Sequence, residues 1–376
     1  MKLWISLISV LVCSMTAWGW TPFEVSSSNN SQQSPSVSGD IIVWQEYVPV
    51  AGVSDWDIYG VDLVNDPFGL IAVAAIEADQ TNPSIWGTQV AWEDNFYGDL
   101  DVWLSDIADT ANVQTHIITP YESDQSLPRL HGNTVVWQHL YVDTATQASD
   151  WDIYGADITD PTTPLRYPAA ALDADQTNPA LYRNRVVWED NFYGDTDILS
   201  ADIWRRNAPY QYPVSTVTTE QNDPATDGNV VIWREDLGGT IHLYGADVSD
   251  PFQPVEFLIS DAFGEKLNPV LSGHLVIWQD NRDGNWNLYG YNLVTRLEFP
   301  ITTDLYNQTH PAIDGLLVAF EDDRYGVPAI FAVRLDGPWA ADCPTPPAGD
   351  TNGDCRVDLL DLADVAANWL ADALVY

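Results

Sequence analysis

Twelve residues near the C-terminus, "DTNGDCRVDLLD", place oxygen-bearing side chains at steps 1, 3, 5, 9 and 12: Asp350, Asn352, Asp354, Asp358 and Asp361. The seventh residue, Arg356, can add its main-chain carbonyl. Oxygens alternating around a loop of this length suit calcium, a large cation that prefers oxygen ligands. The sixth residue, where such a loop turns most sharply and glycine is usual, is Cys355. The apolar-periodic stretch behind it, "LLDLADVAANWLADAL", predicts a helix, and the proline-rich run over 337–349 predicts a linker in front of it.

Two more polar features recur along the chain. One is the approach to a series of prolines: "DQTNP", "DQSLP", "DQTNP", "EQNDP", "EKLNP" and "NQTHP". If these segments ring one mouth of a channel, Asp79, Asp124, Asp175 and Glu220 form a shared site for a cation or for carbohydrate hydroxyls. The alternative is that each bonds the backbone of its own turn or of a neighbouring element. The other feature is the loop "EDNFYGDLD" with Asp94, Asn95, Asp99 and Asp101, repeated as Asp190, Asn191, Asp195 and Asp197. It suits either calcium or a hairpin turn. Catalytic signatures are sparse. The six histidines are scattered without metal-ligand spacing, and no Gly-x-Ser-x-Gly elbow occurs. Fifty-five acids make any one acid/base pair unspecific.

The elements that position these residues repeat. A proline is followed nine residues later by an aromatic at Pro35/Trp44, Pro83/Trp92, Pro128/Trp137, Pro179/Trp188, Pro224/Trp233, Pro269/Trp278 and Pro311/Phe320. Between them lie a turn signal and β-branched residues, as in "PSVSGDIIVW". A Gly/Asp/Asn loop, a "DIYG"-type alternating run and a fourth apolar run follow. Four short strands in roughly 45 residues make a propeller blade, so an all-β, seven-bladed β-propeller over 20–336 is expected. A strand near Phe23–Val25 should complete the last blade. Blades one and three share "SDWDIYG" and blades two and four share "WEDNFYGD", the mark of a duplicated two-blade unit. The tryptophans are expected to pack between blades.

The "P-x-[VIL]-x-G-x-x-[VI]-[VA]-W-x-D" run and the "NWNLYGYNL" strand resemble the repeats of TolB-type propellers, which implies a secreted or cell-surface bacterial or archaeal protein. The loop and helix at 350–376 resemble a single dockerin repeat of the EF-hand type. That resemblance implies a Ca2+ ion and a cohesin-like partner contacting Leu359 and Leu360, although a dockerin normally carries two such repeats.

At the other end, Lys2, an apolar run and small residues read as a secretory signal peptide over 1–19, with no later apolar run long enough to span a membrane. Without Lys2 the net charge of −41 becomes −42. Such acidity excludes nucleic acid and anionic membranes as partners, and membrane insertion is not expected. Cys343 and Cys355 are expected to form a disulfide outside the cell. These observations favour a secreted, monomeric, non-catalytic propeller that binds or scaffolds a protein or cell-surface polysaccharide. A polysaccharide lyase or glycoside hydrolase, and a structural cell-surface protein, remain as alternatives.

Overall fold

The computed structural model describes residues 20–335, apart from 51–52, 147 and 207–208. The leader, Cys343, Cys355, the calcium loop and Leu359 and Leu360 lie outside the described residues. Within them the chain forms seven four-stranded antiparallel sheets and no helix. Each sheet is one blade, running outward from an innermost strand. Those innermost strands are Gln32–Ser38, Gln80–Trp86, Gln125–His131, Gln176–Tyr182, Glu220–Thr226, Lys266–Ser272 and Gln308–Asp314. Each touches the next, and the seventh touches the first, so they enclose a central channel. The seven-bladed expectation holds.

The closure holds as well. Phe23–Glu24 forms the outermost strand of blade seven, with Phe23 opposite Ala332 and Glu24 opposite Phe331. The Val25 N–H continues the ladder to the Ile330 carbonyl at 2.9 Å. Joining chain start to chain end removes the open edge that a ring of separate sheets would leave.

Seven apolar clusters fill the seven junctions between blades. The repeated tryptophans and Phe320 lie at their centres and are at most 1% exposed, so they pack blades together and present no stacking surface. The "YG" of the third strand also has a packing cause. A Cβ on Gly290 would sit 2.6 Å from the ring of Phe299 on the outer strand, and one on Gly245 would sit 2.7 Å from Phe257. Gly290→Ala is therefore expected to cost about 1–3 kcal/mol by overpacking, measured by chemical denaturation; an unchanged midpoint would contradict the crowding.

Candidate functional site

In every blade the pairing of innermost and second strands breaks around the proline. Proline has no N–H for a ladder, so a bulge on the innermost, edge strand accommodates it. The residue before it is left-handed in all seven blades: Ser34, Asn82, Leu127, Asn178, Asp223, Asn268 and His310, with φ between 48° and 55°. Asn, Asp and His tolerate that region better than most residues; Leu127 is the least suited.

The bulge turns each of these N–H groups towards the preceding blade. There it meets the residue that follows the buried aromatic: Asn82 donates to Gln45 at 2.8 Å, Leu127 to Glu93 at 2.6 Å, Asn178 to Gln138 at 3.1 Å, Asp223 to Glu189 at 2.8 Å, His310 to Gln279 at 2.8 Å and Ser34 to Glu321 at 2.9 Å. The remaining junction carries Arg234, which has no acceptor to offer and pairs with Asp223 of its own blade at 2.7 Å. Within blades the same layer is tied by Asn82 to Glu93 and Asn178 to Glu189, both at 2.9 Å, and Asn268 to Gln279 at 3.0 Å. A hydrogen-bonded polar belt thus runs around the channel.

Blade seven alters the belt. Where three blades carry asparagine, His310 stands with its Nδ1 3.1 Å from Glu321 Oε2. The hydrogen bond to Glu321 holds the imidazole's pKa above its usual 6.5, against the opposing effect of burial. The side chain is 54% exposed, and its Nε2 makes no hydrogen bond to the described residues. An oriented imidazole with one open nitrogen can take up a proton. Glu189, across the belt, has its pKa raised by burial, opposed by the Asn178 and Asp223 donors.

The four acids singled out from the sequence take a different place. Asp79 accepts the N–H of Trp56 at 3.2 Å, Asp124 that of Leu100 at 3.1 Å, Asp175 that of Trp151 at 3.1 Å and Glu220 that of Thr196 at 3.2 Å. Each bond reaches back to the third-strand entry of the preceding blade, and Asn95 and Asn191 also donate to Asp79 and Asp175. They tie blades together. The belt residue lies three positions later in the same segments, and its signal was the change from Asn to His and Asp before the proline.

The "EDNFYGD" loops are likewise internally bonded. Asp94 accepts the Phe96 N–H at 2.9 Å and the Trp92 indole N–H at 3.4 Å. Asp190 makes the same pair of bonds in the copy. Among the described residues, no three His, Cys, Asp or Glu side chains are grouped so as to hold a metal ion.

A second polar layer runs across each blade beside the tryptophan. The acid two residues after the aromatic accepts that indole N–H in five blades. Blade three puts His139 there, between Gln125 and Asp152 in register, and leaves Trp137 Nε1, His139 Nδ1 and Gln125 Oε1 buried without partners. Burial, followed by the charge of Asp150, pushes Asp152 up to about 7. The equivalent Asp57, Asp101 and Asp197 are pushed up to about 6, again mainly by burial.

No protein-family model and no curated protein matches the chain by sequence. Solved structures match by fold. A puromycin-hydrolysing peptidase of Mycobacterium tuberculosis aligns at 14% identity and TM-score 0.62, covering 84% of this chain and 54% of the peptidase. The oligogalacturonate lyase of Vibrio parahaemolyticus aligns at 10% identity and TM-score 0.62, covering 86% of this chain and 96% of the lyase. An oligogalacturonate lyase in complex with manganese aligns at 12% identity and TM-score 0.59, covering 84% and 96%. The chain therefore spans about half the length of the peptidase and nearly all of either lyase. These neighbours overturn the expectation of a non-catalytic binding or scaffolding propeller: the peptidase and the lyases that share its fold are enzymes.

Proposed function

We propose that this propeller is an enzyme of acidic-polysaccharide breakdown that cleaves uronate-containing chains by β-elimination. The observation that carries this reading is the His310–Glu321 pair, set with its open nitrogen in a channel belt that also holds the Arg234 guanidinium. The extent of the match to the lyases supports the choice of substrate class.

In the reaction, His310 Nε2 takes the proton from the carbon next to the uronate carboxylate. The electron pair forms a carbon–carbon double bond as the bond to the glycosidic oxygen one carbon further on breaks; that oxygen takes a proton from a water molecule, and the hydroxide left behind recovers the proton held by His310. A guanidinium facing the carboxylate favours the charge that builds on it. Incubation of the mature protein with polygalacturonate, alginate and a neutral glucan tests the reading. An ultraviolet-absorbing unsaturated product from a polyuronate is expected. Release of saturated reducing ends would indicate hydrolysis instead, and no product from any of the three would overturn the proposal.

The same proposal takes the protein to be secreted, with a tail that binds calcium through Asp350, Asn352, Asp354, Asp358, Asp361 and the Arg356 carbonyl, stapled by Cys343–Cys355, for attachment to a cohesin-like partner. The alternating oxygen spacing supports this. A tail this short buries too little to order itself without metal or disulfide. Calorimetry on the full chain should show one calcium ion bound, and Asp350→Ala should abolish that uptake. Heat absent from the unmodified chain at millimolar calcium would rule the site out.

A further inference from the structure

Residues 21–128 contain seventeen acids and neither lysine nor arginine. The first lysine or arginine after the leader is Arg129, and it stands on the innermost strand of blade three, one residue past the proline. At the equivalent step the other blades have Ser36, Ser84, Ala180, Ala225, Val270 and Ala312. One long cation thus stands where the other six blades carry small residues. Its Nη1 donates to the Pro128 carbonyl at 3.1 Å. Among the described residues, its other nitrogens make no hydrogen bond and no carboxylate lies within ion-pair distance. The charge that bears on it most is Glu93, whose oxygens already accept from Leu127, Asn82 and Thr81.

Two residues further on, on the same side of the strand, is His131. It is 9% exposed, and its Nε2 is buried without a partner. Burial, and then the charge of Arg183, hold it neutral down to about pH 4. A neutral imidazole offers one nitrogen as an acceptor, a role open to the unpartnered Nε2. The ring lies between Trp86, at 3.7 Å, and Tyr182, at 4.6 Å between centroids. The Arg183 guanidinium lies 5.4 Å from the Tyr182 ring centre. Trp86 keeps 38% of its surface exposed at the rim. In the other half of this mouth the equivalent Ser38, Ser272 and Asp314 are spent on N–H groups of Gly87, Gly315 and Gly39.

We propose that this end of the channel binds a sugar acid, its carboxylate on Arg129, a ring hydroxyl donating to His131 Nε2 and its apolar face against Trp86. A guanidinium matches a carboxylate with two parallel donors, and an aromatic face matches the C–H face of a pyranose. Along an extended strand, Arg129 and His131 are about 7 Å apart, the span of one sugar unit from carboxylate to far hydroxyl. The step occupied by His310 lies on the opposite side of the proline, about 13 Å from that of His131 along the strand direction. Binding here needs no chemistry at His310, so the site stands whether or not the elimination reading does.

Calorimetry and intrinsic fluorescence on the full chain, with galacturonate as probe and galactose as the neutral control, test the proposal. Galacturonate is expected to bind, and galactose at least about tenfold more weakly. Arg129→Gln should weaken galacturonate about tenfold or more and erase the preference over galactose. Trp86→Leu, at the exposed rim and away from the buried cation, should lower affinity and remove the fluorescence change. His310→Ala should leave binding unchanged, which separates this site from the reaction. Absence of galacturonate binding to the unmodified chain at tens of millimolar overturns the proposal, as does equal binding of galactose. So does an Arg129→Gln protein that folds and binds as before. A drop in stability of Arg129→Gln with no binding by the parent would mark the arginine as a counter-charge to Glu93 alone.

Discussion

His310→Ala is expected to lower the rate of polyuronate cleavage by about 10²- to 10⁴-fold, the usual contribution of a positioned general base. The side chain is half exposed and packs in no apolar cluster, so thermal stability should change little. The pH profile supplies a sharper readout. A base acts in its unprotonated form, and Glu321 holds this imidazole's pKa above 6.5. The rate should therefore rise with pH through an inflection above that value. Glu321→Gln removes the charge that favours imidazolium, so the inflection should move to lower pH while activity falls less than in His310→Ala. Rescue of His310→Ala by added imidazole would tie the loss to the missing base. Full activity in His310→Ala would remove this residue from the mechanism.

How far the sequence reaches is shown by the two kinds of residue in a single segment, "NQTHP". Blade count, strand order and the clasp near Phe23 were legible because they rest on local signals: proline to aromatic spacing, turn residues and alternation. The burial of Trp44 and its counterparts was legible for the same reason. The site was not, because it depends on register. In each segment the acid and the belt residue lie three positions apart, and only the second stands in the bulge where the pairing breaks before the proline. Asp79 and its equivalents tie blades together, while Asn82 and His310 form the belt. The partners are also remote in sequence: Ser34 bonds Glu321 across 287 positions. No local pattern carries that. Blade three was opaque for a related reason, since His139 looks like any scattered histidine until the acid it replaces in the other blades is known.

That replacement leads to the second large effect, a fall in stability with rising pH. Asp57, Asp101, Asp152 and Asp197 are each at most 6% exposed. Burial raises their pKa values from 3.8 to between about 6 and about 7. The folded state thus binds these protons more tightly than the unfolded chain does. The resulting stabilisation is complete below 3.8 and is lost as pH rises through the folded values. Glu46 works in the opposite sense. Burial would raise its pKa, but hydrogen bonds from Ser28, Gln32, Asn30 and Trp44 outweigh that and lower it, so its contribution fades as pH falls below 4.5. Stability should therefore peak in mildly acidic solution, with a melting temperature at about pH 5.5 roughly 5 °C or more above that at about pH 8. Protonation also reduces the repulsion within a chain of net charge −41, which acts in the same direction. Asp152→Asn separates the local cause from the global one. It removes a single charge from the total but takes away the most perturbed of the four carboxyls, beside His139 in the row that leaves Trp137 without an acceptor. At about pH 8 it should stabilise by ~1–2 kcal/mol, and at about pH 5 by almost nothing. If Asp152→Asn destabilises equally at both, its carboxylate is a needed hydrogen-bond partner and burial does not dominate its titration.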